Sequence, residues 1–97
     1  MLKIYGPLKS RTMRPLWLLE ELGLEYQHHA AAPRSDEVRA LSPLGKVPVL
    51  VDGKTAIADS SAIMTYLTDK TGRMTFPPGT HERAVQDSHM FFLLDEF

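Results

Sequence analysis

Three short segments of this chain hold side chains that could do chemistry together. The first is Ser10-Arg11-Thr12-Met13-Arg14, which leads into a helix-forming stretch. A helix start presents unsatisfied N–H groups and about half a positive charge, so it favours an anion. A hydroxyl at Ser10, free in the loop just before that helix, could donate to a thiolate and lower the pKa of its thiol. The second is Asp59-Ser60-Ser61, again at a helix start. The N–H and hydroxyl of Ser60 suit a carboxylate, and Asp59 suits an ammonium group; an amino-acid head group carries both charges. The third is Lys46-Val47-Pro48, where the proline marks a turn or a cis peptide bond. A kink there leaves the Val47 backbone unpaired at a sheet edge, where an extended peptide could add itself like another strand.

Each segment also has a plainer reading. Ser10, Thr12 and the Asp59 triplet are good helix caps, and Pro48 is an ordinary loop proline. Ser10 is not read as a nucleophile, because no Gly-x-Ser-x-Gly elbow or local histidine would activate it. His28 and His29 are adjacent on a predicted strand and point to opposite faces, so they cannot share one metal ion. Trp17 and the leucines around it are read as core.

The elements that must position these groups follow from periodicity and punctuation. Leu2 to Tyr5 alternates and stops at Gly6-Pro7, which predicts a strand. Leu16, Leu19 and Leu22 repeat at helical spacing, with Thr12 at the cap position, Pro15 in the first turn and Gly23 at the C-terminal cap. A second strand is predicted over Leu24 to Ala30 and a short helix over Asp36 to Leu41. Val49-Leu50-Val51, the Asp52-Gly53 turn and Thr55 to Ala58 form a hairpin. Asp59 then caps a helix that runs to Lys70 and ends at Gly72. The order is α/β, a βαβ unit followed by ββα, giving a mixed four-stranded sheet with helices on its faces. Phe76-Pro77-Pro78-Gly79 marks a boundary, and Thr80 to Phe97 reads as one more helix. Its run Met90-Phe91-Phe92-Leu93-Leu94 is apolar nearly all round, so the expected domains are 1–78 and 79–97, the second a truncated all-helical domain.

Composition removes several function classes. The 97 residues include eleven basic and twelve acidic side chains, a formal net charge of −1. No basic excess exists to neutralise phosphates, which argues against nucleic acid as a partner. No apolar run is long enough to span a bilayer, and no export signal is visible, so a cytoplasmic location is expected. There are no cysteines, so any reactive thiol must come from a ligand.

Ser10-x-x-x-Arg14 before Leu16-Trp17-Leu18-Leu19-Glu20-Glu21-Leu22-Gly23, then Ser42-Pro43-Leu44-Gly45-Lys46-Val47-Pro48, then Asp59-Ser60-Ser61-Ala62-Ile63, taken in register, resemble the N-terminal thioredoxin-like domain of the cytosolic glutathione transferases. The resemblance covers residues 2 to about 72 and points to a serine-type, bacterial member. It implies that glutathione is the co-substrate, with no metal. A cis Pro48 would let Val47 pair with the cysteinyl backbone, while Asp59 and Ser60 hold the γ-glutamyl head. Lys46, with Arg39 as a second candidate, would reach the glycyl carboxylate. Ser10 matches the thiol-activating serine, with Thr12 as the fallback; Tyr5 lies too early in the chain for that role. Ser10 and Met13 stand where redox relatives carry Cys-x-x-Cys, which excludes dithiol exchange.

The implied reaction is attack of a glutathione thiolate on an electrophilic, mostly apolar co-substrate, a detoxifying conjugation. Lowering a thiol pKa from about 9 by about two units corresponds to roughly 2.7 kcal/mol, which a helix terminus and one or two hydrogen bonds can supply. The resemblance further implies a homodimer with the third long helix near the two-fold axis, so that Met64 and its neighbours meet a partner. The chain by itself is expected to turn over little substrate, because the second domain walls the electrophile. A non-catalytic interaction module, or a glutathione-dependent isomerase, dehalogenase or ether-cleaving enzyme, are the alternatives.

Overall fold

The structure is a computed structural model that describes residues 2–96, with side chains described for residues 2–89. In chain order the elements are β1 (Leu2–Tyr5), α1 (Met13–Leu22), β2 (Tyr26–His29), α2 (Asp36–Leu41), β3 (Val49–Asp52), β4 (Thr55–Ala58), α3 (Ser60–Thr71) and α4 (His81–Glu96). The strands form one sheet in the order β2-β1-β3-β4. β1 and β2 run parallel, joined through α1; β1–β3 and β3–β4 are antiparallel. This is the expected βαβ–ββα, thioredoxin-like arrangement.

Alternation decides which residues become core. Ile4 pairs with Leu50, and Leu50 with Ile57, in a row across three strands. That row packs with Leu18, Leu19 and Leu22 of α1 and with Ile63 and Leu67 of α3. Burying each such side chain is worth roughly 1.5–3 kcal/mol, so this cluster fixes both helices, and therefore both helix starts, against one sheet. Trp17 departs from the expectation: it is 53% exposed. At about 100° per residue it lies well round the helix from Leu18, Leu19 and Leu22, and those three take the buried face.

The second strand is shorter than expected. Gly23 adopts a left-handed conformation (φ 68°), and its N–H donates to Glu20 O while Leu24 N–H donates to Leu19 O. Leu24 is therefore spent on closing α1, and pairing with β1 begins only at Tyr26.

The end of β3 is fastened to α3 by Lys70 and Tyr66, which both donate to Asp52 Oδ2. Lys70 foremost, then Tyr66, holds the Asp52 carboxyl below its usual range against a smaller desolvation cost. Because the folded pKa is the lower one, this contribution is present above the unfolded carboxylate pKa of about 3.9 and is lost as pH falls through the folded value. Asp52→Asn is expected to lower the thermal midpoint at pH 7, and its deficit should close near pH 2. Melting followed by circular dichroism at the two pH values checks this; an equal deficit at both would contradict it.

Thr80 caps α4 as expected, accepting from Arg83 N–H at 3.2 Å. Arg83 is 7% exposed. It donates to Asp69 on α3, to Asp87 one turn on, and to the Phe76 carbonyl. Gln86 Oε1 accepts from Thr75 Oγ1 and Phe76 N–H. These contacts seat the start of α4 against α3. The apolar run Met90 to Leu94 lies outside the described side chains.

Candidate functional site

Five of the residues singled out by the sequence line one cavity of about 290 Å³: Lys46, Val47, Pro48, Asp59 and Ser60. Its walls come from the loop before β3 and from the start of α3, with Arg11 closing it from the α1 side.

Asp59 has φ 80° and ψ 126°, a conformation sparsely populated by residues other than glycine and costing about 1–3 kcal/mol. Its Oδ2 accepts from Ser61 Oγ at 2.5 Å and from Ala62 N–H at 3.4 Å. Ser60 is 2% exposed, and its Oγ is buried without a partner. An unpaired buried hydroxyl costs about 1–3 kcal/mol. A strained backbone, a carboxylate and an orphan hydroxyl thus meet at the first turn of a 12-residue helix. They can hold a carboxylate and an ammonium group side by side.

Opposite them the Val47–Pro48 peptide is cis, one of the two forms expected. Ladder pairing starts at Val49, and Val47 has no backbone hydrogen-bond partner among the described residues. An N–H and a carbonyl are therefore available to an extended peptide along this edge. The loop is drawn in by Gly45, whose carbonyl accepts from Arg34 N–H at 2.7 Å. At φ 69° a Cβ there would lie 2.9 Å from the Arg34 Cα, so glycine permits the close approach.

The start of α1 differs from expectation at two hydroxyls. Ser10 Oγ is not free: it lies 2.6 Å from the Pro7 carbonyl and 2.8 Å from Thr12 Oγ1, and accepts from Thr12 N–H at 3.1 Å. Its single proton can serve only one acceptor at a time. Thr12 occupies the N-cap position without a side-chain cap bond and exposes no surface. Its hydroxyl faces Gly6 and Ser10. Tyr5 stacks on His29 with ring centroids 4.6 Å apart, away from the cavity wall. Arg39 is exposed in the last turn of α2 and is not part of the lining.

Arg11, Ser42, Leu44 and Ala58 also line the cavity and were not singled out as site residues; Arg11 is the charged one among them. The available signal was its position between two hydroxyl residues, immediately before the cap of the helix whose start was singled out. Among the described residues no group of histidines and carboxylates could hold a metal ion, and no helix is long and apolar enough to cross a membrane.

A four-stranded thioredoxin-like sheet with a cavity between the loop before β3 and the start of α3 defines a domain class. A family model described as the glutathione S-transferase N-terminal domain matches residues 10–70, and the chain belongs to that family. It is 43% identical over 69 residues to a glutathione S-transferase of Triticum aestivum, covering 69% of this chain and 32% of that one. Glutathione S-transferase F10 of Arabidopsis thaliana is 37% identical over 75 residues, covering 72% and 35%. The theta class glutathione S-transferase of Xanthomonas axonopodis pv. citri, solved with glutathione bound, superposes with a TM-score of 0.83 at 32% identity, over 94% of this chain and 47% of that one. The chain thus spans about a third of the length of these curated relatives.

Proposed function

We propose that residues 1–78 form the glutathione-binding domain of a glutathione transferase that activates the bound thiol for attack on an electrophilic, mostly apolar co-substrate. The observation that carries this reading is the buried, unpartnered Ser60 hydroxyl in a residue that lines one cavity with Val47. Asp59 and Ser60 take the γ-glutamyl head, Val47 pairs with the cysteinyl backbone, and Lys46 meets the glycyl carboxylate. Ser10 turns its proton from the Pro7 carbonyl toward the sulfur. Residues 79–97 begin a second, helical domain that walls the electrophile, so the 97-residue chain alone turns over little substrate. The complete protein is a cytoplasmic homodimer. Its interface uses the outer groove of α3, about 620 Å³ between Ala62, Thr65, Tyr66 and Asp69.

The test is conjugation of glutathione to an activated aryl halide by the complete protein. Turnover saturable in glutathione supports a transferase; glutathione binding without conjugation supports a non-catalytic module. Ser10→Ala is expected to raise the pKa of bound glutathione by roughly one to two units, since a hydrogen bond to a charged group is worth about 1.5–3 kcal/mol. Thiolate absorbance followed against pH measures it, and an unchanged titration would remove Ser10 from this role.

A further inference from the structure

We infer that His28, on β2, is a positioning residue that sets the loop between β1 and α1 and, through it, the Ser10 hydroxyl; this rests on the role given to Ser10 above. His28 Nε2 lies 2.7 Å from the Gly6 carbonyl oxygen. A carbonyl only accepts, so Nε2 carries the proton and donates. The Gly6 N–H donates in turn to the His29 carbonyl at 2.9 Å. Both backbone groups of Gly6 are thus tied to the end of β2, one through a side chain and one through the backbone.

Two contacts carry that fixation to Ser10. The Gly6 carbonyl belongs to the planar Gly6–Pro7 peptide, so holding its oxygen sets the direction in which the chain leaves β1. The next carbonyl, that of Pro7, lies 2.6 Å from Ser10 Oγ. On its other side Gly6 packs so closely on Thr12 that a Cβ would meet Thr12 Oγ1 at 1.9 Å. Thr12 Oγ1 lies 2.8 Å from Ser10 Oγ. Both acceptors within reach of the Ser10 proton therefore rest on Gly6, and His28 is the side chain that holds the Gly6 carbonyl. His28 itself is exposed on its strand and does not line the cavity. Its replacement opens no hole in the core and removes no ligand contact.

The test uses the complete protein and two amide replacements. In His28→Gln the amide nitrogen takes the place of Nε2 and keeps the bond; in His28→Asn it reaches only as far as Nδ1 and loses it. His28→Asn is expected to raise the pKa of bound glutathione by about half to one unit, a loss of roughly three- to tenfold in thiolate at neutral pH. His28→Gln should stay within about 0.3 unit of the native protein. Affinity for S-methylglutathione, which has no ionisable thiol, should stay within about twofold in both. With Ser10→Ala already in place, His28→Asn should add no further shift, because residues acting through one another are not additive. A merely structural His28 would lower the melting temperature without moving the thiol titration. An unchanged titration in His28→Asn, equal shifts in the two variants, or the same added shift once Ser10 is gone would overturn the inference while leaving Ser10 and the binding site in place. Ser10→Ala without any shift, or failure of the native protein to bind either ligand, would instead overturn the reading beneath it, and this inference with it.

Discussion

Replacing Ser60 with alanine is expected to weaken glutathione binding by about ten- to a hundredfold while leaving the fold as stable as before, or slightly more so. The two effects have one cause. Ser60 Oγ is buried and unpartnered, so folding takes its hydroxyl from water and returns nothing. Removing the hydroxyl removes that cost of about 1–3 kcal/mol, and the lone methyl group is tolerated at the start of a helix. A ligand carboxylate would satisfy the hydroxyl with a charge-assisted bond worth about 1.5–3 kcal/mol. A residue kept for structure gives the opposite pattern, with stability lost and binding spared. Calorimetric titration with glutathione, beside thermal melting of the same variant, separates the two; a clear drop in melting temperature with unchanged affinity would contradict the account.

Gly6→Ala is expected to destabilise the fold by about 2–5 kcal/mol, enough to unfold much of a marginal domain. Gly6 has φ 145°, and a Cβ built there would lie 1.9 Å from Thr12 Oγ1 and 3.0 Å from its Cβ. The backbone cannot step aside, because Gly6 N–H donates to the His29 carbonyl at 2.9 Å and Gly6 O accepts from His28 Nε2 at 2.7 Å. Overpacking costs about 1–3 kcal/mol, and the positive φ adds about 1–2 kcal/mol for a residue with a side chain. Adding Thr12→Ala to Gly6→Ala should return part of the loss, since it removes the closest atom but not the backbone penalty. Urea titration of the single and double variants checks both statements, and a Gly6→Ala chain as stable as the native one would refute them. This packing also holds the Ser10 hydroxyl, so the first strand and the α1 tip are one unit.

The fold was legible where local chemistry and tertiary packing agree. Asp52-Gly53 could only turn a hairpin, Gly23 and Gly72 closed their helices as glycine does, and Asp59 capped α3 through Ala62 N–H. Periodicity misled at Trp17, because size and apolarity suggest core while position on the helix wheel decides it. It misled at Leu24 because two hydrogen bonds that finish α1 precede the strand. The cavity residues Lys46 to Pro48 and Asp59-Ser60 were legible from their types and order. The state of the Ser10 hydroxyl was not, since it depends on the Pro7 carbonyl three residues back and on Thr12 folding inward against Gly6. The place of Arg11 in the cavity wall was hidden for the same reason: only the turn before α1 aims it there.

The account stands on glutathione occupying the cavity between Val47 and Ser60. A titration of the isotope-labelled protein with glutathione, followed by amide chemical shifts in NMR, reads this residue by residue. Saturable shifts are predicted at the amides of Val47, Asp59 and Ser60, with Thr65 and Tyr66 on the outer groove of α3 unmoved. Saturable binding that leaves Val47 and Ser60 unshifted, or no binding at millimolar ligand, would contradict it.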